Sequence, residues 1–327
     1  MFFEAYLGVV MITIARLKVF GNKLKQQKIL LLFLTPAILS VIIFSYIPMA
    51  GIVMAFQEFS LKHGFLTSPW VGLMHFKEFI HSPDFLRALR NTIAINGFSI
   101  LLGFPAPIIF AILINELANL KIKKVFQTVT YFPHFVSWVV VAGLFYRILD
   151  PSTGLVNFFL GKLGIGNIEF LRNPDYFWAI IVFAAIWKEL GWNSVIYIAN
   201  ISGIDPTLYE ASMVDGANRF QRIVHITLPS ISPTAILLLI LTAGSIVSVN
   251  FSVLGTMTPN FEALFNFSNP LVMSKSDVVD IYAYRTGIAM GDYSYAAAIG
   301  FTVSFLSFVF VFLANNISRK INGYSIF

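Results

Sequence analysis

Two adjacent charges, Lys188 and Glu189, fall in the middle of an otherwise apolar stretch covering residues 176–200. A charged group at mid-bilayer is costly unless it is paired, hydrated or turned into a helix bundle. The pair therefore predicts side chains that face the protein interior, with Trp187, Trp192 and Asn193 around them. Two roles fit that placement: the wall of a hydrated path that touches a polar solute, or a structural pairing with polar groups of a neighbouring helix or partner subunit. Successive residues on a helix diverge by about 100°, so one partner is not expected to serve both charges. Asn250 and Phe251, with Ser248 beside them, form a second candidate. An amide and a hydroxyl beside an aromatic face suit a pyranose, which has apolar C–H faces and polar edges. Phe occurs 34 times, however, so any one Phe is first expected to face lipid or core.

A different chemistry is written in Asp205 to Pro229, DPTLYEASMVDGANRFQRIVHITLP, a polar island between two apolar stretches. Asp205 is a good helix N-cap, and Pro206 suits the first helical position, where its missing N–H costs nothing. Leu208, Tyr209 and Met213 then make a small apolar face at helical spacing, and Gly216 can supply the left-handed turn that ends the helix. A second amphipathic stretch, Ala217 to Ile226, is expected to stop at Leu228-Pro229. A polar loop with helices of its own, in a chain otherwise nearly all apolar, reads as a docking device for a soluble partner.

Other chemistry is missing. There is no G-x-x-x-x-G-K-[ST] loop, so the chain is not expected to bind ATP itself. The five histidines, His63, His75, His81, His134 and His225, are scattered without metal-ligand spacing, and no metal is expected. His225, in the polar island, reads as a solvated or packing side chain. Cysteine is absent, which excludes disulfides and thiol catalysis.

The elements that must carry these residues follow from composition. Hydrophobic residues are 57% of 327 and charged residues only 12%, about half the charge of a soluble domain. The expected fold class is an all-α polytopic membrane protein. Six stretches have spanning length and apolarity, near 29–54, 92–116, 126–148, 176–200, 230–254 and 293–316. Phe2 to Ile14 is short for a span and is followed, not preceded, by Arg16, Lys18 and Lys23. It reads as an interfacial helix, with an extra span as the alternative, and not as a cleaved leader. The chain thus divides into a cytosolic or interfacial segment 1–28 and a membrane domain 29–327, with the polar loop at 203–229. Pro36, Pro48, Gly103, Pro105, Pro107, Pro133 and Gly191 interrupt the spans. Each reads either as a packing kink or as a break lining a cavity.

Charge sets the orientation. The N-terminal segment, the turn holding Lys121, Lys123 and Lys124, the polar island and the C-terminal tail carry 12 Lys/Arg against 5 Asp/Glu, counting Glu116 with the turn it borders. The three long loops on the other side carry 9 against 10, counting Arg147 with its loop. The positive side is expected to be cytosolic, which places both termini and the polar island inside. The net charge of +6 is explained the same way and does not call for nucleic acid.

The polar island resembles the coupling loop of importer-type ABC transporter permeases. The matching residues are Glu210-Ala211-Ser212, Gly216 six positions after the Glu, and Ile226-Thr227-Leu228-Pro229 starting ten positions after the Gly. Ser212 replaces the second Ala of the pattern, one small residue for another. Thr128 to Asn157, Ile186 to Pro229 and Asn269 to Ile288 are similar to carbohydrate-uptake permeases, and within them to the branch that imports uronate-rich saccharides such as alginate. Ser68 to Phe79 and Leu89 to Thr92 match that branch too, so the resemblance runs from about Lys28 to the C-terminus.

The resemblance implies a type I importer permease core in the inner membrane, with a cytosolic coupling helix. The implied partners are a second homologous permease, a dimer of ATPase subunits that bind ATP and Mg, an extracytoplasmic solute-binding protein and a saccharide. It implies that Asp205, Tyr209, Glu210, Ala211, Ser212, Asp215 and Gly216 meet the ATPase, and that Lys188, Glu189 and the long outer loops contribute to the solute path and to docking of the binding protein. On their chemistry Trp192, Asn193, Asn250 and Phe251 are further candidates for that path. An ion-coupled secondary transporter is the alternative. It would need ionisable coupling groups, and apart from Lys188 and Glu189 the spans have almost none. A channel would want a charged ring, and a membrane enzyme a convergent catalytic set; neither is visible.

Overall fold

The computed structural model describes residues 27–248 and 260–326. Asn250, Phe251, residues 249–254 of the fifth expected span and the proposed interfacial helix lie outside the described residues. The chain divides into two compact units, residues 1–53 and 54–327.

In the first unit, helix α1 (Lys28–Val41) opens a continuous helical run that extends to Phe56. Its most apolar window has no buried residue, as expected for a helix whose solvent is lipid. Pro36 sits inside α1, and Pro48 follows a π-turn at Ile42–Tyr46.

The second unit holds the other spans. Ser82 caps α2 (Pro83–Phe98), accepting from the Phe85 N–H, and Pro83 takes the first position. After a π-turn at Ser99–Gly103 the helix continues as α3 (Pro105–Asn115), and the whole run of 33 residues is one span. It starts nine residues before the expected edge, because the Ser-Pro-Asp start signal precedes the apolar run. Next come α4 (Leu120–Tyr131) and α5 (Trp138–Ile148), then a short surface helix, α6 (Leu155–Lys162). The fourth span is α7 (Pro174–Ser202), capped by Asn173.

The polar island forms α8 (Pro206–Val214) and a single turn, α9 (Arg219–Arg222), which passes through a π-turn at Ile223–Thr227 into α10 (Leu228–Thr242). On the opposite side, the fifth loop folds as α11 (Phe261–Phe267), α12 (Met273–Ser276) and α13 (Val279–Tyr284). The last span is α14 (Tyr293–Asn322). Among the described residues there is no strand, only an isolated bridge between Gln57 and Trp70.

Two expectations are corrected. The third span is not one helix: Leu120–Phe135 and Trp138–Ile148 meet at 105°, so the described chain has five continuous spanning helices and one broken pair. Pro133 lies in the 3-10 turn Phe132–Phe135 at the break, and Ser137 starts α5 afresh. Nor does Leu228-Pro229 stop the second stretch of the polar island, since Arg219–Ile246 is a single 28-residue helix. The π-turn explains how. The Leu228 N–H bonds back to Ile223, five residues away, which widens the ladder just where a proline lacks an N–H and its ring would press on the preceding turn. The same device, a π-turn ending two residues before a proline, recurs before Pro48 and Pro105. These prolines therefore sit in continuous helices, and only Pro133 marks a sharp break.

Gly191 is likewise no break. It lies within α7, and a Cβ there would run into the Thr130 carbonyl and the Tyr131 ring. Its role is the close crossing of α4 over α7, the use that membrane helices commonly make of small residues. Packing on both sides of that crossing fixes the frame. One cluster joins Trp138, Val141, Ile181 and Ala185 to Leu264, Phe267 and Ile281 of the α11–α13 segment. Another, beside the polar island, joins Ala111, Tyr197, Ile201, Ile231 and Leu238.

Candidate functional site: a buried charge cluster and an exposed hairpin

The break in the third span carries His134 to the side of α7, where Lys188 and Glu189 wait. Lys188 is only 5% exposed. Its ammonium donates to the His134 carbonyl at 2.5 Å, lies 3.3 Å from Glu189 Oε1 and faces the Trp138 ring at 5.6 Å. The other carboxylate oxygen of Glu189 meets His134 Nδ1 at 2.7 Å. The imidazole stacks flat on Trp192, with ring centroids 4.3 Å apart. The adjacent charges thus do share a partner, contrary to the expectation from helical angle. One uses His134's main chain and the other its ring, and both side chains are long enough to converge across the helix surface.

This arrangement assigns chemistry. The charges are compensated inside this chain, without a partner subunit, so the cost of placing them at mid-span is offset. The same bonds leave the ammonium little capacity for a solute in this conformation. In the sequence His134 is one of five scattered histidines, with no spacing that ties it to Lys188 or Glu189. The signal that could have found it is its place directly after Pro133, where a break presents the following residue sideways.

Asn193 is buried on the same helix, while Ser248 is engaged elsewhere, donating to Asp280 Oδ1 at 3.3 Å. A second polar node also escaped sequence reading. Asp277, almost wholly buried, lies 3.3 Å from Arg87 and 2.9 Å from Arg285. Beside it Asn91 donates to the carbonyls of Ser274 and Asp277 at 3.1 and 2.9 Å. The Val279 N–H donates to Thr92 Oγ1 at 2.9 Å. These bonds tie the α11–α13 segment to α2 from Arg87 to its middle. Nothing in the spacing of residues separated by about 190 positions pointed to it.

The polar island forms the expected hairpin. Asp205 accepts from the Thr207 N–H at 2.9 Å, and that bond holds its carboxyl below the usual carboxylate range. Gly216 has φ +79°. The Gly216 N–H bonds to Met213 and the Ala217 N–H to Ser212, which closes α8 with a Schellman turn. Asn218 and Gln221 then make a capping box that starts α9. The Tyr209 and Thr227 hydroxyls, 2.9 Å apart, clamp α8 to the returning helix. No residue of α8 is buried. Leu208, Met213 and Val214 are exposed, as are Glu210, Ala211 and Asp215. The helix is thus fixed at both ends by local bonds while its apolar side chains are left uncovered.

Among the described residues no group of His, Asp or Glu is arranged to hold a metal ion. Spanning helices, one of them broken over a buried charge cluster, together with an exposed hairpin between the fourth and fifth spans, define a multi-pass membrane protein with the build of a permease. The chain belongs to the family of binding-protein-dependent transport system inner membrane components, matched by residues 103–323. It is 40% identical over 304 residues, 93% of its length and 92% of the relative's, to Protein LplB of Bacillus subtilis. To the polygalacturonan/rhamnogalacturonan transport system permease protein YteP of the same organism it is 37% identical, covering 91% of this chain and 90% of that one.

Among solved structures, it matches a chain of a bacterial ABC transporter involved in the import of the acidic polysaccharide alginate, with a TM-score of 0.83 and 39% identity. The match covers 93% of this chain and 99% of that chain. A second crystal structure, of a bacterial alginate ABC transporter in complex with an alginate pentasaccharide-bound periplasmic protein, matches equally well at 38% identity. The protein is therefore a multi-pass permease of an ABC importer.

Proposed function

We propose that this permease carries acidic, uronate-rich oligosaccharides across the inner membrane. In this reading it pairs with a second, homologous permease and receives the saccharide from an extracytoplasmic solute-binding protein. It is driven by an ATPase dimer that binds ATP and Mg and docks on the 205–229 hairpin. The chain itself is non-catalytic, and its termini and hairpin face the cytoplasm. The observation that carries the coupling role is α8, which is capped at both ends and clamped by Tyr209 yet buries none of its own side chains. Glu210, Ala211, Ser212, Asp215 and Gly216 form the contact surface. The saccharide class is supported by the likeness to the alginate importer and to the polygalacturonan/rhamnogalacturonan permease. Orientation is supported by the excess of Lys and Arg on the hairpin side.

Lys188 and Glu189 serve in this reading as a staple across the break in the third span, next to the solute path. Asn193 and Trp192 remain candidates to line it, together with Asn250 and Phe251, which lie outside the described residues. The deciding experiment is co-purification of the permease with its ATPase, a second permease and the binding protein, followed by ATP hydrolysis in lipid vesicles. Oligoalginate and oligogalacturonate are expected to stimulate hydrolysis, and neutral arabino-oligosaccharides are not. Equal stimulation by the neutral sugars would overturn the substrate class, and failure to retain an ATPase would overturn the coupling role.

A further inference from the structure

A groove of about 490 Å³ runs between α5 and the first half of α7. One wall is a single face of α7, with Tyr176, Ala179, Phe183 and Trp187 among its residues, and Phe145 and Ile148 of α5 stand opposite. Its lining is aliphatic and aromatic throughout, with no amide, carboxylate or ammonium to recognise a saccharide. It is distinct from the charge cluster, which begins at the next residue, Lys188.

We propose that this groove holds one acyl chain of a bilayer phospholipid. Three observations select that occupant. The first is depth. From Tyr176 to Trp187 the helix rises about 17 Å, the thickness of one leaflet's hydrocarbon, about 15 Å. Trp187 stands one residue short of the centre of the 29-residue α7, so the groove ends near mid-bilayer. The second is the lining. The groove, about 490 Å³, is walled along that length by aliphatic and aromatic side chains alone and is open along its side, so an extended hydrocarbon chain enters it without leaving a polar group unpaired. The third is the surface helix α6, whose Val156 lines the same groove. Its Leu155, Phe158 and Phe159 are exposed, and the Lys162 ammonium lies 4.6 Å over the Phe158 ring at its end. Exposed apolar residues with a terminal lysine are the pattern of a helix lying at the membrane interface, and the lysine supplies the cation that a lipid phosphate seeks.

The test counts phospholipids. The assembled transporter is purified in mild detergent, and lipid retained per complex is measured by native mass spectrometry and by extraction. Ala179→Trp, which plugs the groove, is expected to lower tightly held phospholipid at least fivefold relative to wild type. Ile180→Ser, which places a hydroxyl in it, lowers retention without adding bulk and keeps the test valid should the plug not assemble. Val139→Trp, equally lipid-exposed on α5 but outside the groove, retains the wild-type amount. Equal retention in all four proteins overturns the proposal. So does cross-linking of a single Ala179→Cys in the assembled complex to another polypeptide, since the groove would then be covered by protein.

Discussion

His134 and Glu189 are joined across the break in the third span, Nδ1 to Oε2 at 2.7 Å, and Lys188 bonds to the same histidine's main chain. A sharp bend in a membrane helix leaves backbone groups and a loose segment to be tied down. Here the fourth span does so with two charges that neutralise each other. Transport in such a protein depends on parts moving as units, and this staple makes the broken span and the fourth span one unit.

Removing one half of the staple is therefore worse than removing both. Glu189→Leu leaves a buried ammonium uncompensated and is expected to destabilise the purified complex by about 3 kcal/mol. Lys188→Met with Glu189→Leu is expected to recover most of that loss. Thermal unfolding in detergent checks this, and additive losses in the double variant would show that the charges are not coupled. Lys188→Met alone should lower assembly alike for every substrate. A selective loss of acidic-sugar transport at normal assembly would instead mean that Lys188 leaves the cluster to meet the solute.

Gly191 and Gly97 separate close approach from simple helix propensity. A methyl at Gly191 meets the Thr130 carbonyl, which is backbone and cannot swing away, whereas at Gly97 nothing lies within 4 Å. Gly191→Ala is expected to cost about 1–3 kcal/mol and to reduce yield of folded protein in the membrane. Gly97→Ala is expected to be neutral or slightly stabilising, as alanine is the better helix former. The readout is the detergent half-life of the two variants side by side.

For the hairpin, Gly216→Val forces a β-branched residue to φ +79°, a conformation such residues avoid. Membrane insertion and yield should be normal, and solute-stimulated ATP hydrolysis should be lost. Glu210→Lys, which reverses a charge on the exposed face, should give the same split. Wild-type stimulation in both variants would refute the docking role.

Asp205 gives the hairpin an acid limit. Its folded pKa lies below the ordinary 3.8, because the Thr207 N–H bonds to the charged form. A depressed folded value means that the ionised cap stabilises α8 at all pH above about 3.8, and that this contribution fades as pH falls through the lower, folded value. Hydrogen exchange at the Thr207 amide should accelerate only in that acid window. Asp205→Asn keeps the cap bond and should remove the pH dependence; an unchanged acid response in that variant would place the titration elsewhere.

Because the chain has no cysteine, orientation can be read from single introduced thiols. An impermeant reagent added outside should label Lys162→Cys and miss Ile122→Cys and Lys320→Cys. The opposite pattern would reverse the topology.

Much of this protein was legible in its residues. Apolar length alone marks the five continuous spans, because lipid demands that each spanning segment satisfy its own backbone, which makes membrane topology a local property. The hairpin was legible for the same reason. The Asp205 cap, the Gly216 turn and the clustered polarity between them act over a few residues, and the fold reproduces them without help from distant contacts. What tertiary structure decided lies where two distant segments meet. Whether Pro133 bends or breaks its helix, while Pro48, Pro105 and Pro229 sit in continuous ones, depends on a π-turn in three cases and on the fourth span in the other. That Gly191 is a crossing point depends on Thr130, that Lys188 and Glu189 share His134 depends on the break, and that Asp277 is held by Arg87 and Arg285 depends on loops folded against each other. Side-chain pairing at mid-membrane is set by which helices touch, and no local pattern encodes that.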